Sequence, residues 1–312
     1  MRIGSCAVAF LFVMIQVGLG VAQEQAGSVP LQFKLEIEQA MVVIGEPVYA
    51  TVRLTNVGSA PVEVSKMLDP QIGDVQIEVT GPDKPRFRYL PLFYADAVHT
   101  RMPLGPGEEV AAAVPIFYGS LGWTFDRPGS YRVTAGYRDR SGAEPRLLHS
   151  NSVTLSVGDQ TGIGVALVRG TPASEEAGKF LLWQRGDHLE LGHGLLKDLL
   201  IMKPDSPVAD YALLAFGRNL SRSFRNYAAG QIRPADCGAA LGYFQRVRSG
   251  RLPVLLQVQQ RLDEARCHLR MSQPGQANEA MKQAKRLGAD RPEFRLLFQQ
   301  ALRLELRLQQ AH

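Results

Sequence analysis

Hydrophobic and polar positions follow two different periods along this chain. Leu31-Gln32-Phe33-Lys34-Leu35-Glu36-Ile37-Glu38 alternates strictly, with Leu31, Phe33, Leu35 and Ile37 on one side and polar residues on the other. Period two marks a strand with one buried face. Similar short runs follow at 48–54, 61–64, 75–79, 87–90, 109–115, 131–137 and 153–157. Turn formers such as Asn56-Val57-Gly58-Ser59 and Gly81-Pro82-Asp83 separate them. This spacing predicts a Greek-key sandwich over residues 29–158.

Beyond Pro207 the period changes to 3.6. Ala209, Leu213, Phe216, Leu220 and Phe224 are spaced for one helix face, with Arg218, Arg222 and Arg225 between them. Further helices are predicted at 234–248, 253–271, 277–287 and 292–308, each opened or closed by Pro or Gly. Residues 159–204 read as a partly helical connector. Ser174 is placed there as an N-cap ahead of Glu175 and Glu176, Gly186 as a stop, and Gly194 to Leu200 as a second helical stretch. The expected architecture is multidomain, an all-β sandwich followed by all-α helical hairpins over 205–312.

The first 22 residues have the layout of a signal peptide. Arg2 supplies a positive start, residues 7–19 are apolar and uncharged, and Gly20-Val21-Ala22 offers small residues for cleavage. The apolar run falls short of the ~20 residues of a membrane span. The mature protein is therefore expected in the periplasm or secreted, with no integral span after signal removal.

Several motifs carry a resemblance. Gly45-Glu46-Pro47-Val48 leading into Val52-Arg53-Leu54-Thr55-Asn56, Leu104-Gly105-Pro106-Gly107-Glu108, and Phe125-Asp126-Arg127-Pro128-Gly129-Ser130-Tyr131-Arg132-Val133 resemble the strands and turns of bacterial immunoglobulin-like domains. That resemblance covers about 125 residues and implies the sandwich fold; such domains serve adhesion, spacing, ligand binding and inhibition alike. In the C-terminal part, Tyr211-Ala212-Leu213-Leu214-Ala215, Ala240/Phe244 and Ala280/Ala284 resemble tetratricopeptide-type repeats, which implies a partner-binding groove. The loop holding Gln231 is longer than that family allows.

Charge is unevenly placed. Residues 205–312 hold 17 Lys and Arg against 9 Asp and Glu, whereas the preceding residues hold 18 against 21. Arg218, Arg222 and Arg225 are candidates for meeting a protein partner or an anionic component of the cell envelope. Arg86 and Trp123 are candidates on the sandwich loops. The run from Arg86 to Tyr94 reads as a core strand and packed loop rather than a sticky surface. Nucleic acid is disfavoured by export.

After signal removal two cysteines remain, Cys237 and Cys267. They lie 14 and 16 positions either side of the turn at Gly250-Arg251, so an antiparallel helix pair brings them level. In an oxidising compartment they are a disulfide candidate, closing a loop worth roughly 3 kcal/mol. Asp187, His188, Glu190 and His193 resemble a metal cluster in composition, but the two histidines stand five apart and diverge by about 140° around a helix. No metal and no cofactor are expected. Gly119-Ser120-Leu121-Gly122 has the wrong spacing for a nucleophile elbow, and Gly178-Lys179-Phe180 lacks the features of a phosphate loop. The expected function is an exported, non-catalytic interaction or scaffolding protein, its sandwich a recognition or spacer module and its helices a partner-binding surface. The alternatives are a protease- or glycan-binding module acting through the sandwich loops, and an enzyme with dispersed residues.

Overall fold

Leu31–Ile37 forms strand β1, burying Leu31, Phe33 and Leu35 while Gln32, Lys34 and Glu36 face water. These come from a computed structural model that describes residues 30–83, 85–95, 100–141, 144–158, 163–227, 230–294 and 297–299. The signal segment 1–22 lies outside the described residues, as does most of the fifth helix expected over 292–308.

Strands β2 (Met41–Val43), β3 (Tyr49–Asn56), β4 (Val62–Ser65), β5 (Val75–Thr80), β6 (Phe87–Arg88), β7 (Arg101–Leu104) and β8 (Glu109–Pro115) follow. After them come β9 (Tyr118–Gly119), β10 (Gly122–Trp123), β11 (Gly129–Asp139), β12 (Arg146–His149) and β13 (Val153–Gly158). One sheet has the order β1-β3-β8. The other runs β2-β13-β11-β5-β6, with β12 also paired to β11. Only the β2–β13 contact in that sheet is parallel. The two sheets face each other across a core where Phe33 of β1 meets Tyr137 of β11 at 5.8 Å between ring centres.

Two polar side chains fix the turns of this β-rich part. Asn56, fully buried at the end of β3, donates its amide to the carbonyls of Ala60 and Leu104, both at 2.8 Å, and accepts from the Gly58 N–H. Tyr131 donates its hydroxyl to the Arg127 carbonyl at 3.0 Å and accepts from the Arg127 N–H, closing the turn into β11. Each satisfies backbone groups that the turn would otherwise strand away from water.

The residues after β13 form helices α1 (Ile163–Val168), α2 (Pro172–Trp183), α3 (Glu190–Met202), α4 (Pro207–Leu220), α5 (Cys237–Arg246), α6 (Val254–Arg270) and α7 (Pro274–Gly288), with a hairpin β14 (Phe224–Asn226) and β15 (Gln231–Arg233) between α4 and α5. α2 starts earlier than expected. Thr171 is its N-cap, accepting from the Ser174 N–H at 3.2 Å, and Ser174 instead donates its hydroxyl to Leu167. Phe224 does not continue α4. The last carbonyls of that helix are taken by distant donors: Arg233 Nη2 to Asn219 at 2.8 Å, the Asp236 N–H to Leu220 at 2.9 Å, and Arg270 Nη1 to Ser221 at 2.7 Å. Tertiary capping stops the helix where local spacing would extend it.

The expected connector is a packed layer. A single hydrophobic cluster runs from Leu31 and Val52 in the sheets through Phe180, Leu196 and Leu213 to Cys237 and Cys267 in the helices. At Gly178 an added Cβ would lie 2.3 Å from Tyr118, so α2 seats directly on β9. Polar ties cross the same boundary: Gln39 to Tyr211 at 2.9 Å, Glu38 to the Val254 N–H at 3.0 Å, and Arg53 to the almost fully buried Glu293 at 3.2 Å. Among the described residues no helix is long and apolar enough to cross a membrane.

Candidate binding site

β6 leaves β5 after two residues and the chain then approaches the β9–β10 hairpin. There the Ser120 N–H donates to the Leu90 carbonyl at 2.9 Å. Gly119 permits the approach, since a Cβ at that position would stand 2.1 Å from the same oxygen. The two segments diverge around this bond and leave an open, mainly apolar cavity of about 230 Å3. Pro85, Phe87, Arg88, Tyr89 and Leu90 line one side; Leu121, Gly122, Trp123 and Thr124 line the other.

The floor is braced. Tyr89 donates its hydroxyl to the Tyr118 carbonyl at 2.9 Å. Trp123 is buried, packs edge-on to Tyr118 at 5.6 Å, and donates Nε1–H to the Ser174 carbonyl of α2 at 3.4 Å. The rim is not braced: Leu121 is 71% exposed at the hairpin tip, and Arg88 is exposed with no carboxylate partner in the described residues. A rigid apolar floor under an apolar and cationic rim suits capture of a side chain.

The residues singled out in the sequence separate into different roles. Trp123 lies in this cavity but as part of its floor. Arg86 is exposed at its margin, engaged with Glu78. Two of the aromatics expected in a packed loop, Phe93 and Tyr94, are instead about half exposed, because the chain runs over the surface after Pro91.

Arg218 and Arg222 are engaged within the fold. Arg218 is partly buried against Asp263 at 2.8 Å and also reaches Gln184 and Gln259, and Arg222 holds the same carboxylate at 2.9 Å. Arg266 adds a third guanidinium. Burial pushes the Asp263 carboxyl up, but the three arginines outweigh it and hold it below the usual carboxylate range. The helical spacing that turned these arginines outward on paper is met by α6 packing over them. Among the described residues Arg225 has no such pairing: it lies on β14 with its guanidinium 5.7 Å from the Tyr227 ring, and Tyr227 is 84% exposed.

The acidic-histidine group is also spent on structure. Asp187 accepts from Arg233 at 2.6 Å and Asn219 at 2.7 Å, pinning the β14–β15 hairpin to the loop before α3. His188 stacks on Phe224, and His193 meets Phe180 edge-on at 4.3 Å. Among the described residues no three His, Cys, Asp or Glu side chains gather as metal ligands. Cys237 and Cys267 are both buried free thiols, and each lies close enough to influence the other. Burial, reinforced by that neighbour, pushes the Cys267 thiol well above its ordinary value.

Two features were not singled out in the sequence. The cavity is one; Gly119-Ser120-Leu121-Gly122 was its local sign, a tight hairpin turn that fails only as a catalytic elbow. Glu46 is the other. It sits 7% exposed where the sheets meet α4, accepting from the Val43 N–H at 3.0 Å and the Gln39 amide at 3.2 Å. Burial, with a smaller contribution from Asp210, raises its carboxyl to about 7.

No protein-family model matches this chain, and no curated protein matches its sequence. Among solved structures it is similar to the CARDB domain of the PF1109 protein from Pyrococcus furiosus, determined in complex with di-metal ions. The identity is 16%, over 41% of this chain and 87% of that one, with a TM-score of 0.23. It is also similar to Spo0M, a sporulation control protein from Bacillus subtilis, at 14% identity over 49% of this chain and 54% of that one, TM-score 0.26. A third likeness is to beta-glucosidase from Listeria innocua in complex with glucose, at 15% identity over 41% of this chain and 16% of that one, TM-score 0.23.

Proposed function

We propose that this chain is an exported, non-catalytic binding protein: an immunoglobulin-like sandwich captures a ligand in the cavity between β6 and the β9–β10 hairpin, and the helical part supports it. The observation that carries this reading is the cavity itself, with the braced floor of Tyr89 and Trp123 beneath an exposed Arg88 and Leu121. Export is supported by Arg2, the apolar run 7–19 and Gly20-Val21-Ala22. The immunoglobulin-like assignment is supported by the two facing sheets and by Tyr131, whose hydroxyl closes onto the backbone four residues upstream as in a tyrosine corner. A tetratricopeptide-type origin of the helices is supported by the α6–α7 hairpin, where the small residues Ala277, Ala280 and Ala284 are buried.

The test uses 8-anilinonaphthalene-1-sulfonate, an apolar anion matched to the rim. The mature chain is expected to enhance its fluorescence saturably at one site, and Leu121→Asp and Arg88→Glu are each expected to weaken binding at least ten-fold. Binding unchanged in both variants would remove the cavity from the account.

A second reading places a partner on the β14–β15 hairpin. The observation favouring it is Arg225 beside Tyr227 and the exposed Ile232. These are the residue types that anchor protein interfaces. Arg225→Glu with intact partner capture would exclude it.

A further inference from the structure

We propose that the free edge of β6 accepts an additional strand, an extended acidic segment of a partner protein, with one apolar side chain of that segment seated in the cavity. This rests on the cavity being the binding surface and goes on to name what fills it.

The sheet order ends at β6, and no strand is paired beyond it among the described residues. The register sets Val79 against Phe87 and Glu78 against Arg88, and the Tyr89 N–H donates inward to the Ile77 carbonyl at 2.8 Å. In an antiparallel ladder inward-bonded and outward-facing residues alternate, so the Arg88 N–H and C=O face away from β5. An added strand meets one complete backbone donor–acceptor pair there, while the Leu90 carbonyl, next outward on the same edge, is taken by the Ser120 N–H.

Charge selects the occupant. Arg88 is exposed and has no carboxylate partner among the described residues, whereas Arg86 already holds Glu78. A second copy of this chain, paired antiparallel about Arg88, would set two guanidiniums opposite one another, which is unfavourable. A partner strand with Asp or Glu opposite Arg88 gains where a copy loses.

Size selects against a larger ligand. The cavity of about 230 Å3 falls below the ~300–1,000 Å3 typical of sites for drug-sized molecules. It matches one large side chain delivered by a strand, whose alternate residues point to the same face. Trp123 belongs to the floor and is 8% exposed, leaving little aromatic face for a sugar ring to stack on.

The experiment selects a displayed library of random dodecapeptides on the immobilised full mature chain, then measures the most enriched peptide by fluorescence anisotropy. Expected are peptides that alternate acidic with aromatic or aliphatic residues, and at least ten-fold weaker binding to Arg88→Glu. N-methylation of the amides in one alternating set is expected to weaken binding ten-fold or more, and methylation of the other set to leave it nearly unchanged. That phase dependence belongs to strand pairing and not to general stickiness. Equal effects of both sets, or the same peptides enriched on Arg88→Glu, overturn the proposal. If the naphthalene sulfonate binds at the cavity and no peptide is enriched, the strand fails while the cavity reading stands; if neither binds, both fall.

Discussion

Asp263 of α6 accepts the Nε–H of Arg218 of α4 at 2.8 Å, and its carboxylate is 1% exposed. Forty-five positions separate the two residues, and their pairing locks α4 to α6 with Arg222 and Arg266 on the same carboxylate. Removing the one anion leaves several partly buried guanidiniums facing each other. Asp263→Asn is therefore expected to destabilise the fold by about 3–5 kcal/mol, measured as a lowered urea midpoint. Arg222→Ala, at the wetter edge of the group, is expected to cost clearly less.

Glu46 gives the fold a pH dependence of defined sign. Its carboxyl is raised to about 7 in the folded chain, from an ordinary value of 4.5. The folded state therefore holds a proton that the unfolded state releases, and stability falls as pH rises from about 4.5 to about 7. The whole effect is at most about 3 kcal/mol. Glu46→Gln keeps an acceptor for the Val43 N–H without the ionisation. It is expected to raise the melting temperature at pH 8 and to leave it little changed at pH 4.5.

The two buried thiols neighbour one another between the start of α5 and the end of α6. In an oxidising compartment they are expected to join, stabilising by roughly 3 kcal/mol. The check is alkylation of the chain isolated from its native compartment and then unfolded. No thiol is expected to label before reduction and two after it; two labelled before reduction would show that the pair stays reduced.

Tyr131 is expected to act through its hydroxyl as well as its ring. Tyr131→Phe keeps the edge-on packing against Phe125 and strands the Arg127 backbone groups. A loss of about 1–2 kcal/mol in denaturant unfolding is expected.

The strands were legible because one face of β1 is wet, so Leu31, Phe33 and Leu35 stand out against their neighbours. The helices were legible for the same reason at another period. What escaped the sequence depends on partners far along the chain. Phe224 keeps helical spacing with Leu220, yet α4 stops because Arg233, Asp236 and Arg270 arrive to take its carbonyls. Arg218 and Arg222 looked like a solvated stripe because nothing local announces that Asp263 will close over them. The connector looked like a tether because Phe180, Leu196 and Leu199 are too few to show a core until the sheets supply the opposite wall. The cavity is a gap between two backbones, which residue patterns do not record.

Amide hydrogen exchange of the full mature chain, alone and saturated with 8-anilinonaphthalene-1-sulfonate, tests the binding site most directly. Slowed exchange is expected at 85–90 and 119–124, with the β14–β15 hairpin residues 224–233 unaffected. Protection at 224–233 with none at 85–90 would contradict the assignment.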